Sequence, residues 1–305
     1  MNPDDYTNTE FFLDVGDGHQ LYVHDWGNKK AKDPIILLHG GPGSHTKDGH
    51  KTMFNPAQHR VVFFDQRGAG KSLPYGSLQN NATDHLIGDI NLIAKHCKFS
   101  QFVLQGGSWG SCLALAYALK NPRKVKALVL QGIFTGSKAE LDWIFNGQFR
   151  SFFPDVWEQY LAATPKEHHD NPSAYHLKNI LGKNESAAHT SALAVSALEL
   201  AVMSLDDRFT PPDPVEFDST PSKLFAHYAK HGCFMPDRHI LNNAQKLNMP
   251  IWIVQGRYDM DCPPVTAHEL HQKTPNSKLI WTVANHRGNE RETHNVLSTI
   301  LLQFN

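Results

Sequence analysis

The sequence predicts an α/β protein in which a mostly parallel, twisted sheet is flanked by helices and interrupted by a helical insertion. Three observations predict this class. Apolar runs of strand length alternate with helical patterns up to residue 136, helical patterns and loops without a convincing strand fill residues 137–235, and the alternation then resumes. Alternating strands and helices form parallel sheets that are covered on both faces. We therefore divide the 305 residues into a core, residues 1–136 and 236–305, and a helical cap, residues 137–235.

The first half of the core is predicted from three patterns. Two short runs flank the turn-forming Gly16-Asp17-Gly18-His19, which indicates a β-hairpin. Continuous apolar runs are typical of strands buried on both faces, and apolar residues at helical spacing, such as Leu86, Ile90 and Ile93, indicate a helix. In order, the predicted segments are strands at 10–15, 20–26, 34–38 and 60–64, a helix at 84–96, a strand from 101, a helix at 109–120 and a strand at 125–131.

The cap contains one strong helical pattern, residues 191–205, which is rich in Ala and Leu. The core pattern then returns with a strand at 250–255, a helix at 265–272, a strand at 279–283 and a closing helix at 291–302. In parallel sheets of this kind, reactive groups gather at the carboxyl ends of the strands. His39, Asp65 and Ser108 each follow a predicted strand, so we expect them at that edge.

Composition excludes several classes of function. The 29 basic and 30 acidic side chains leave a formal net charge of −1, so neither nucleic acid nor a membrane surface is an expected partner. Residues 1–10 are polar and acidic, without the features of a secretion signal, and four widely spaced cysteines indicate free thiols. We expect a cytoplasmic protein without a metal or organic cofactor, since no metal-ligand spacing is visible. The oligomeric state stays open.

The segment Gly106-Gly107-Ser108-Trp109-Gly110 has the G-x-S-x-G pattern between a predicted strand and a predicted helix. A serine on such a steep strand-to-helix turn has a strained backbone, and its hydroxyl is pushed clear of the sheet. The turn brings the residues two before and two after the serine together, which requires very small side chains. We therefore predict that Ser108 is a nucleophile. The alternative is a glycine-rich turn with an uninvolved serine.

A serine hydroxyl needs a base to take its proton and a carboxylate to orient that base. On this architecture the chain order is serine, acid, histidine. Asp259 and His286 each follow a predicted strand in the second half of the core and satisfy that order. Asp261 is the alternative acid. His294 is the alternative base, but it falls inside the closing helix.

The oxyanion hole requires two backbone amides aimed at one point. One is expected from Trp109, directly after the serine. The other is expected from the loop His39-Gly40-Gly41-Pro42-Gly43, and we choose Gly41 because Pro42 has no amide hydrogen. Residues 65–68 are expected to brace the site, with Arg67 paired to a carboxylate beneath the pocket.

Four motifs together carry a resemblance to a known family. They are His39-Gly40-Gly41-Pro42-Gly43, Asp65-Gln66-Arg67-Gly68-Ala69-Gly70-Lys71-Ser72, Gly106-Gly107-Ser108-Trp109-Gly110-Ser111 and Gly256-Arg257-Tyr258-Asp259. In combination they resemble the proline iminopeptidases (prolyl aminopeptidases), serine peptidases of the α/β-hydrolase fold, and the resemblance covers most of the chain. It implies removal of N-terminal proline from small peptides without a metal or cofactor.

The resemblance also implies where the substrate's free amine binds. In the family, two cap glutamates hold this cation; Glu199 matches the first, whereas the second position is Phe225, which has no charge. Two further departures are Gln131, where the family has arginine, and Asn285, where it has glycine before the catalytic histidine. These departures leave the predicted triad intact and make the preference for proline the open question.

We therefore predict a serine exopeptidase that releases N-terminal proline or a small apolar residue. An alternative is an esterase or amidase of the same fold whose substrates lack a free α-amine, as Phe225 suggests. A third hypothesis, from another class, is a binding protein that kept the scaffold and lost catalysis; the intact serine, acid and histidine argue against it.

Overall fold

The computed structural model describes residues 5–203, 205 and 212–305. Eight strands form one sheet in the order β1-β2-β4-β3-β5-β6-β7-β8. The β1–β2 and β2–β4 pairs are antiparallel, and the remaining pairs are parallel. The strands are β1 Tyr6–Gly16, β2 His19–Asn28, β3 Ile35–Leu38, β4 Arg60–Phe64, β5 Phe102–Ser108, β6 Val125–Ile133, β7 Ile251–Gly256 and β8 Ser277–Thr282. Every predicted strand is present, and the predicted fold class is confirmed.

The helices cover both faces of the sheet and fill the insertion between β6 and β7. They are α1 Thr83–His96, α2 Trp109–Lys120, α3 Lys138–Phe145, α4 Pro154–Ala162, α5 Pro172–Ile180, α6 Glu185–Val202, α7 Thr220–Lys230, α8 His239–Asn243, α9 Pro264–Lys273 and α10 Arg291–Leu301. The helix predicted at 191–205 is α6, which begins earlier and ends at Val202; residue 204 lies outside the described residues. None of the helices in the described ranges combines the length and hydropathy that a bilayer crossing requires.

Alternate residues of the central strands pack into different cores on the two faces of the sheet. On β3, Ile36 and Leu38 join the larger core with α1 and α2, whereas Ile35 and Leu37 join the smaller core with α10. Burial of each such side chain contributes roughly 1.5–3 kcal/mol to stability. A strand apolar on both faces is fixed in the middle of the sheet, so its carboxyl end is a stable platform for the loops that follow.

The helices inserted between β6 and β7 form an apolar cluster of their own. Its buried members are Ile144, Phe145, Phe149, Trp157, Tyr160, Ile180, Ala192, Val195, Leu198, Val202 and Ala226. The cluster spans α3 to α7 and therefore supports treating this segment as one packing unit. The cap boundaries at 137 and 235 stay our prediction.

Arg67 forms a buried ion pair beneath the carboxyl edge of the sheet. Its guanidinium donates to both carboxylate oxygens of Asp89 on α1, at 2.8 and 2.7 Å, and both side chains are at most 3% exposed. The same guanidinium also donates to Asp17 at 3.3 Å and to the carbonyl of Asn80 at 2.7 Å. The expectation that Arg67 pairs with a buried carboxylate is confirmed.

Replacing Asp89 with Ala is expected to lower the free energy of unfolding by about 3–5 kcal/mol, because it leaves a buried guanidinium without its buried partner. Urea unfolding measures the loss. Asp17→Asn is the matched control: Asp17 pairs with the same guanidinium but is 49% exposed, and asparagine also tolerates its φ of 58°, so its loss should stay below about 1 kcal/mol. Equal losses in the two variants would contradict the assignment of the buried pair.

Candidate active site

Ser108 lies at the junction of β5 and α2 with φ 56° and ψ −128°. This is an unfavourable region for a residue with a side chain, and occupying it costs about 1–3 kcal/mol. The turn is too tight for side chains on either side: a Cβ at Gly106 would lie 2.3 Å from the Gly110 carbonyl oxygen, and a Cβ at Gly110 would lie 2.1 Å from that of Leu38. These close backbone contacts require glycine at both positions of the G-x-S-x-G pattern. The tight turn places the Ser108 side chain at the carboxyl edge of the sheet.

Asp259 and His286 come together from the loops that follow β7 and β8. The His286 Nδ1 atom lies 3.1 and 3.0 Å from the two Asp259 carboxylate oxygens, and both side chains are at most 4% exposed. The alternative base, His294, lies on α10, where its Nε2 contacts the Thr52 hydroxyl at 2.9 Å. The structure therefore brings together the two side chains that the sequence selected.

The Asp259 carboxylate is held by donors from its own loop and from β7. Its Oδ1 accepts from the backbone N–H groups of Asp261 and Cys262 at 3.1 and 2.7 Å. Its Oδ2 accepts from the Gln255 side-chain amide at 2.9 Å. Gln255 is itself fixed, since its Oε1 accepts from the Ile133 backbone N–H at 2.8 Å. Such donors stabilise the charged carboxylate and fix its direction toward the imidazole.

Asp261, the alternative acid, contacts the other nitrogen of the same ring. Its Oδ2 lies 3.1 Å from His286 Nε2, and its side chain is 8% exposed. The sequence offered Asp261 only as the alternative to Asp259 and did not predict that both aspartates contact the His286 imidazole. Because the Nε2 atom is the one that a base would turn toward a serine, this contact matters for the chemistry.

Ser108 lies beside this cluster, although among the described residues its hydroxyl has no hydrogen bond to His286. Its side chain interacts with the buried Cys262 thiol, and that thiol lies 3.9 Å from the Asp261 carboxylate. Gly132, in a bulge of β6 next to the Ser108 pairing, leaves room for the ring: a Cβ there would lie 3.0 Å from His286 Cε1. The three predicted triad residues therefore meet at one edge of the sheet, with Asp261 on the Nε2 side.

Three carboxylates act on the imidazole, namely those of Asp259, Asp261 and Glu199. Burial alone would lower the pKa of His286, but these charges outweigh burial and raise it to about 10. Burial, with the neighbouring Asp261 charge, raises the pKa of Glu199 to about 8. Burial likewise raises the pKa of Asp261 to about 6, against the opposing effect of His286. The site is thus an acidic pocket whose internal cation is the imidazolium.

The loop predicted to supply the second oxyanion amide lies against Ser108. A Cβ at Gly40 would lie 3.4 Å from Ser108 Cβ and 3.9 Å from its hydroxyl oxygen. Gly41 has φ +116°, and a side chain there would start 2.5 Å from the Gly43 nitrogen, so glycine is required. Trp109 supplies the amide at the N-terminus of α2. The assignment of the Gly41 and Trp109 amides to an oxyanion hole remains our prediction.

A chain of hydrogen bonds braces this loop. The sequence did not predict these contacts. The indole N–H of Trp109 donates to Gln66 Oε1 at 2.8 Å, and the Gln66 side-chain amide donates to the His39 carbonyl at 3.0 Å. The Gln66 backbone N–H donates to His39 Nε2 at 3.0 Å, which leaves Nδ1–H to donate to the Gly40 carbonyl at 2.9 Å. Burial lowers the pKa of His39, which fits this neutral form. The expected bracing role of residues 65–68 is therefore carried by Gln66.

The cap contributes one acid and one aromatic side chain among the predicted residues. Glu199 is half-buried on α6, close enough for its charge to act on His286. Phe225, on α7, packs against the cap cluster with its ring 5.1 Å from that of Phe145. The Phe225 side chain is uncharged, so Glu199 is the one of the two predicted substrate-binding residues that can carry a charge.

Asn285 and Gln131, the two other departures, tie the histidine loop in place. The Asn285 side-chain amide donates to the Val202 carbonyl at the end of α6, at 2.8 Å, and its oxygen accepts from the Met260 backbone N–H at 3.0 Å. The Gln131 side-chain amide donates to the His286 carbonyl. The two side chains thus link the histidine loop directly to the end of α6 and to β6.

One group of metal-capable side chains occurs in the described residues. One ligand atom each of Asp261, Cys262 and His286 lie within 4.8 Å of one another. The imidazole nitrogen in this group is already paired with Asp261, and burial raises the pKa of the Cys262 thiol well above its usual value, so the thiol is neutral. We assign these groups to the acid–base cluster.

Comparisons with known proteins show the fold and the family. The sequence model of a family described as alpha/beta hydrolase fold matches residues 33–285. A proline iminopeptidase of Arabidopsis thaliana is 38% identical over 287 residues, 91% of this chain and 75% of the relative. One of Xylella fastidiosa is 38% identical over 273 residues, 88% of this chain and 87% of the relative. The crystal structure of a proline iminopeptidase of Mycobacterium smegmatis has a TM-score of 0.64 at 16% identity, covering 97% of this chain and 98% of that one, which supports the fold alone.

The fold and the matched family model make this chain an α/β hydrolase. It is an enzyme, a serine hydrolase of the aminopeptidase class. Within that class, the chain belongs to the proline iminopeptidase family.

Proposed function

We propose that this enzyme releases an N-terminal proline, or a small apolar residue, from small peptides through a covalent acyl-enzyme. The observation that carries the proposal is the buried Asp259–His286 pair beside the strained Ser108 turn, in a chain of this family. The four cysteines are free and buried, which fits a reducing compartment, so we place the enzyme in the cytoplasm.

In the proposed mechanism, His286 Nε2 takes the proton of the Ser108 hydroxyl as its oxygen attacks the scissile carbonyl. Asp259 holds the Nδ1–H tautomer and stabilises the imidazolium that forms. The negative oxygen of the tetrahedral intermediate accepts from the amides of Gly41 and Trp109. The imidazolium then returns the proton to the leaving nitrogen as the C–N bond breaks. Water repeats the sequence on the acyl-enzyme and frees the amino acid and Ser108.

Glu199 binds the substrate's free α-amine in this proposal. A cation that enters a poorly solvated site needs a carboxylate nearby, and Glu199 lies close enough to act electrostatically on His286. An amine held there places the first peptide bond at the nucleophile and excludes longer N-terminal extensions. The substrate is therefore cut after its first residue.

The test compares arylamides of L-proline, L-alanine and N-acetyl-L-proline. Release of arylamine from prolyl arylamide is expected, and the acetylated substrate should have a kcat/KM at least roughly 100-fold lower, because it leaves Glu199 without its counter-charge. Absence of release from both the prolyl and the alanyl arylamide would overturn the peptidase proposal. Equal or faster turnover of the acetylated substrate would instead identify an esterase or amidase that does not recognise a free α-amine.

A fluorophosphonate tests the remaining alternative, a binding protein without catalysis. Intact mass should show one adduct per folded chain, and a Ser108→Ala chain should show none. Failure of the folded protein to react would support the non-catalytic hypothesis.

A further inference from the structure

Both nitrogens of the His286 imidazole contact a carboxylate. Asp259 contacts Nδ1 at 3.0 Å and Asp261 contacts Nε2 at 3.1 Å. A carboxylate accepts hydrogen bonds and does not donate them, so a ring held in this way donates from both nitrogens and is an imidazolium. An imidazolium cannot take the proton of Ser108. The Asp261 contact therefore defines a resting state, in which the base is present but occupied.

The two aspartates differ in how firmly they are held. Asp259 accepts three hydrogen bonds besides the imidazole, from the Gln255 side chain and from two backbone N–H groups. Among the described residues, the partners of the Asp261 carboxylate are the imidazole at 3.1 Å and the Cys262 thiol at 3.9 Å. A thiol is a weak donor. Asp261 is thus held mainly by the charge of His286.

The pocket contains more negative than positive groups. Among the described residues, the cation whose field acts on both Glu199 and Asp261 is His286. The same imidazolium also serves Asp259. One imidazolium therefore serves three acidic groups in largely desolvated surroundings. Because burial raises the pKa of Glu199 to about 8, an entering cation also favours the ionised form of that side chain.

The substrate's N-terminal cation can reach Asp261 from a productive position. In an N-terminal residue, the amine nitrogen is two bonds from the scissile carbonyl carbon, about 2.5 Å away by standard bond lengths. A carboxylate that binds this amine must therefore lie next to the nucleophile. The Cys262 thiol links Asp261 to this position: it lies 3.9 Å from the Asp261 carboxylate and also interacts with Ser108. Phe225 supplies no charge, so Asp261, in the loop after β7, is the acidic side chain that we consider beside Glu199.

We propose that Asp261 and Glu199 together bind the substrate's free α-amine, and that this binding releases the base: Asp261 exchanges the His286 imidazolium for the substrate cation. This inference rests on the proposed function. When the cation arrives, the Nε2–H bond breaks, the proton passes to bulk water, and the neutral imidazole turns its Nε2 lone pair toward Ser108. A substrate without the amine cannot replace the imidazolium at Asp261, so His286 Nε2 stays protonated and paired with Asp261. Asp261 is thus a specificity-determining residue that makes the free N-terminus a condition for catalysis.

The first test separates the cation from the scissile bond. Hydrolysis of p-nitrophenyl acetate, which has no amine, is measured with added pyrrolidine, whose cation is the proline ring without its carboxyl group. Tetrahydrofuran is the uncharged control of the same ring size, and a Ser108→Ala chain gives the uncatalysed background. Pyrrolidine is expected to accelerate ester hydrolysis by roughly tenfold, and tetrahydrofuran to leave it unchanged. Equal effects of the two additives would overturn the proposal.

The second test removes the charge of Asp261 while keeping its shape. Asp261→Asn is expected to lower kcat/KM for prolyl arylamide by roughly 30-fold or more. It should raise kcat/KM for p-nitrophenyl acetate by roughly tenfold, because Nε2 is no longer held as a cation. It should also abolish the effect of pyrrolidine. Asp155→Asn, on the exposed side of α4, is the matched control and should change neither substrate.

The opposite changes in kcat/KM for prolyl arylamide and p-nitrophenyl acetate distinguish this role of Asp261 from a structural one. A variant that merely loosens the site would lose activity on both substrates, and that outcome, or an unchanged ratio of the two, would overturn the proposal. If Asp261→Asn does not fold, the comparison of pyrrolidine with tetrahydrofuran on the wild-type chain decides alone. A chain that cleaves prolyl arylamide but shows no pyrrolidine effect refutes only this inference, whereas a chain inactive on prolyl and alanyl arylamides refutes the proposed function.

Discussion

Replacing Ser108 with Ala is expected to lower kcat for prolyl arylamide by roughly 10⁴-fold or more, because the covalent route disappears while the rest of the site remains. The substitution removes one oxygen atom from a residue at φ 56°, where the strain belongs to the backbone and is the same for alanine. The fold should therefore survive. Steady-state kinetics with a thermal melt on the same preparation measures both effects.

Cys262→Ala is the control, since this thiol is the other potential nucleophile next to Ser108. Burial raises the pKa of the thiol well above its usual value, so it is neutral and unreactive at neutral pH. The variant should keep kcat within about tenfold of the wild type. The reverse result, with Ser108→Ala active and Cys262→Ala inactive, would make the cysteine the nucleophile.

The sequence predicted those parts of the site that depend on local patterns. Continuous apolar runs such as that of β3 are buried on both faces of the sheet. The glycines around Ser108 are required by contacts within the same turn. Asp259 and His286 were found because each follows a parallel strand, and parallel strands end at one edge. Each of these inferences uses a few neighbouring residues and one general rule of architecture.

The remaining features depend on contacts between distant segments. The side of the imidazole that Asp261 meets follows from the turn of its loop, in which two backbone N–H groups fold back onto Asp259. The link from Asn285 to Val202 joins residues 83 positions apart. The chain from Trp109 through Gln66 to His39 crosses three segments. No periodicity or spacing encodes such contacts, so composition and motifs could name these residues but not their partners.

Replacing Asp259 with Asn is expected to lower kcat for prolyl arylamide by roughly 10⁴-fold, because it imposes the wrong tautomer on the base. The surrounding donors determine how the new amide must lie. Two backbone N–H groups point at the Oδ1 position, so the asparagine carbonyl takes that place and its NH₂ group takes the Oδ2 position, 3.0 Å from His286 Nδ1. The ring must then accept at Nδ1 and carry its proton on Nε2, where it cannot accept the proton of Ser108.

Gln255 opposes this orientation of the new amide, so the variant should also be less stable than the wild type. Its amide also donates to the Oδ2 position, and it cannot turn over without losing the bond that its Oε1 accepts from Ile133. Two NH₂ groups would face each other, so a lower melting temperature should accompany the loss of kcat. Asp261→Asn provides the contrast, since it leaves Nδ1 and its tautomer unchanged. If Asp259→Asn retained kcat within tenfold while Asp261→Asn lost it for every substrate, with or without a free amine, then Asp261 would be the residue that orients the base.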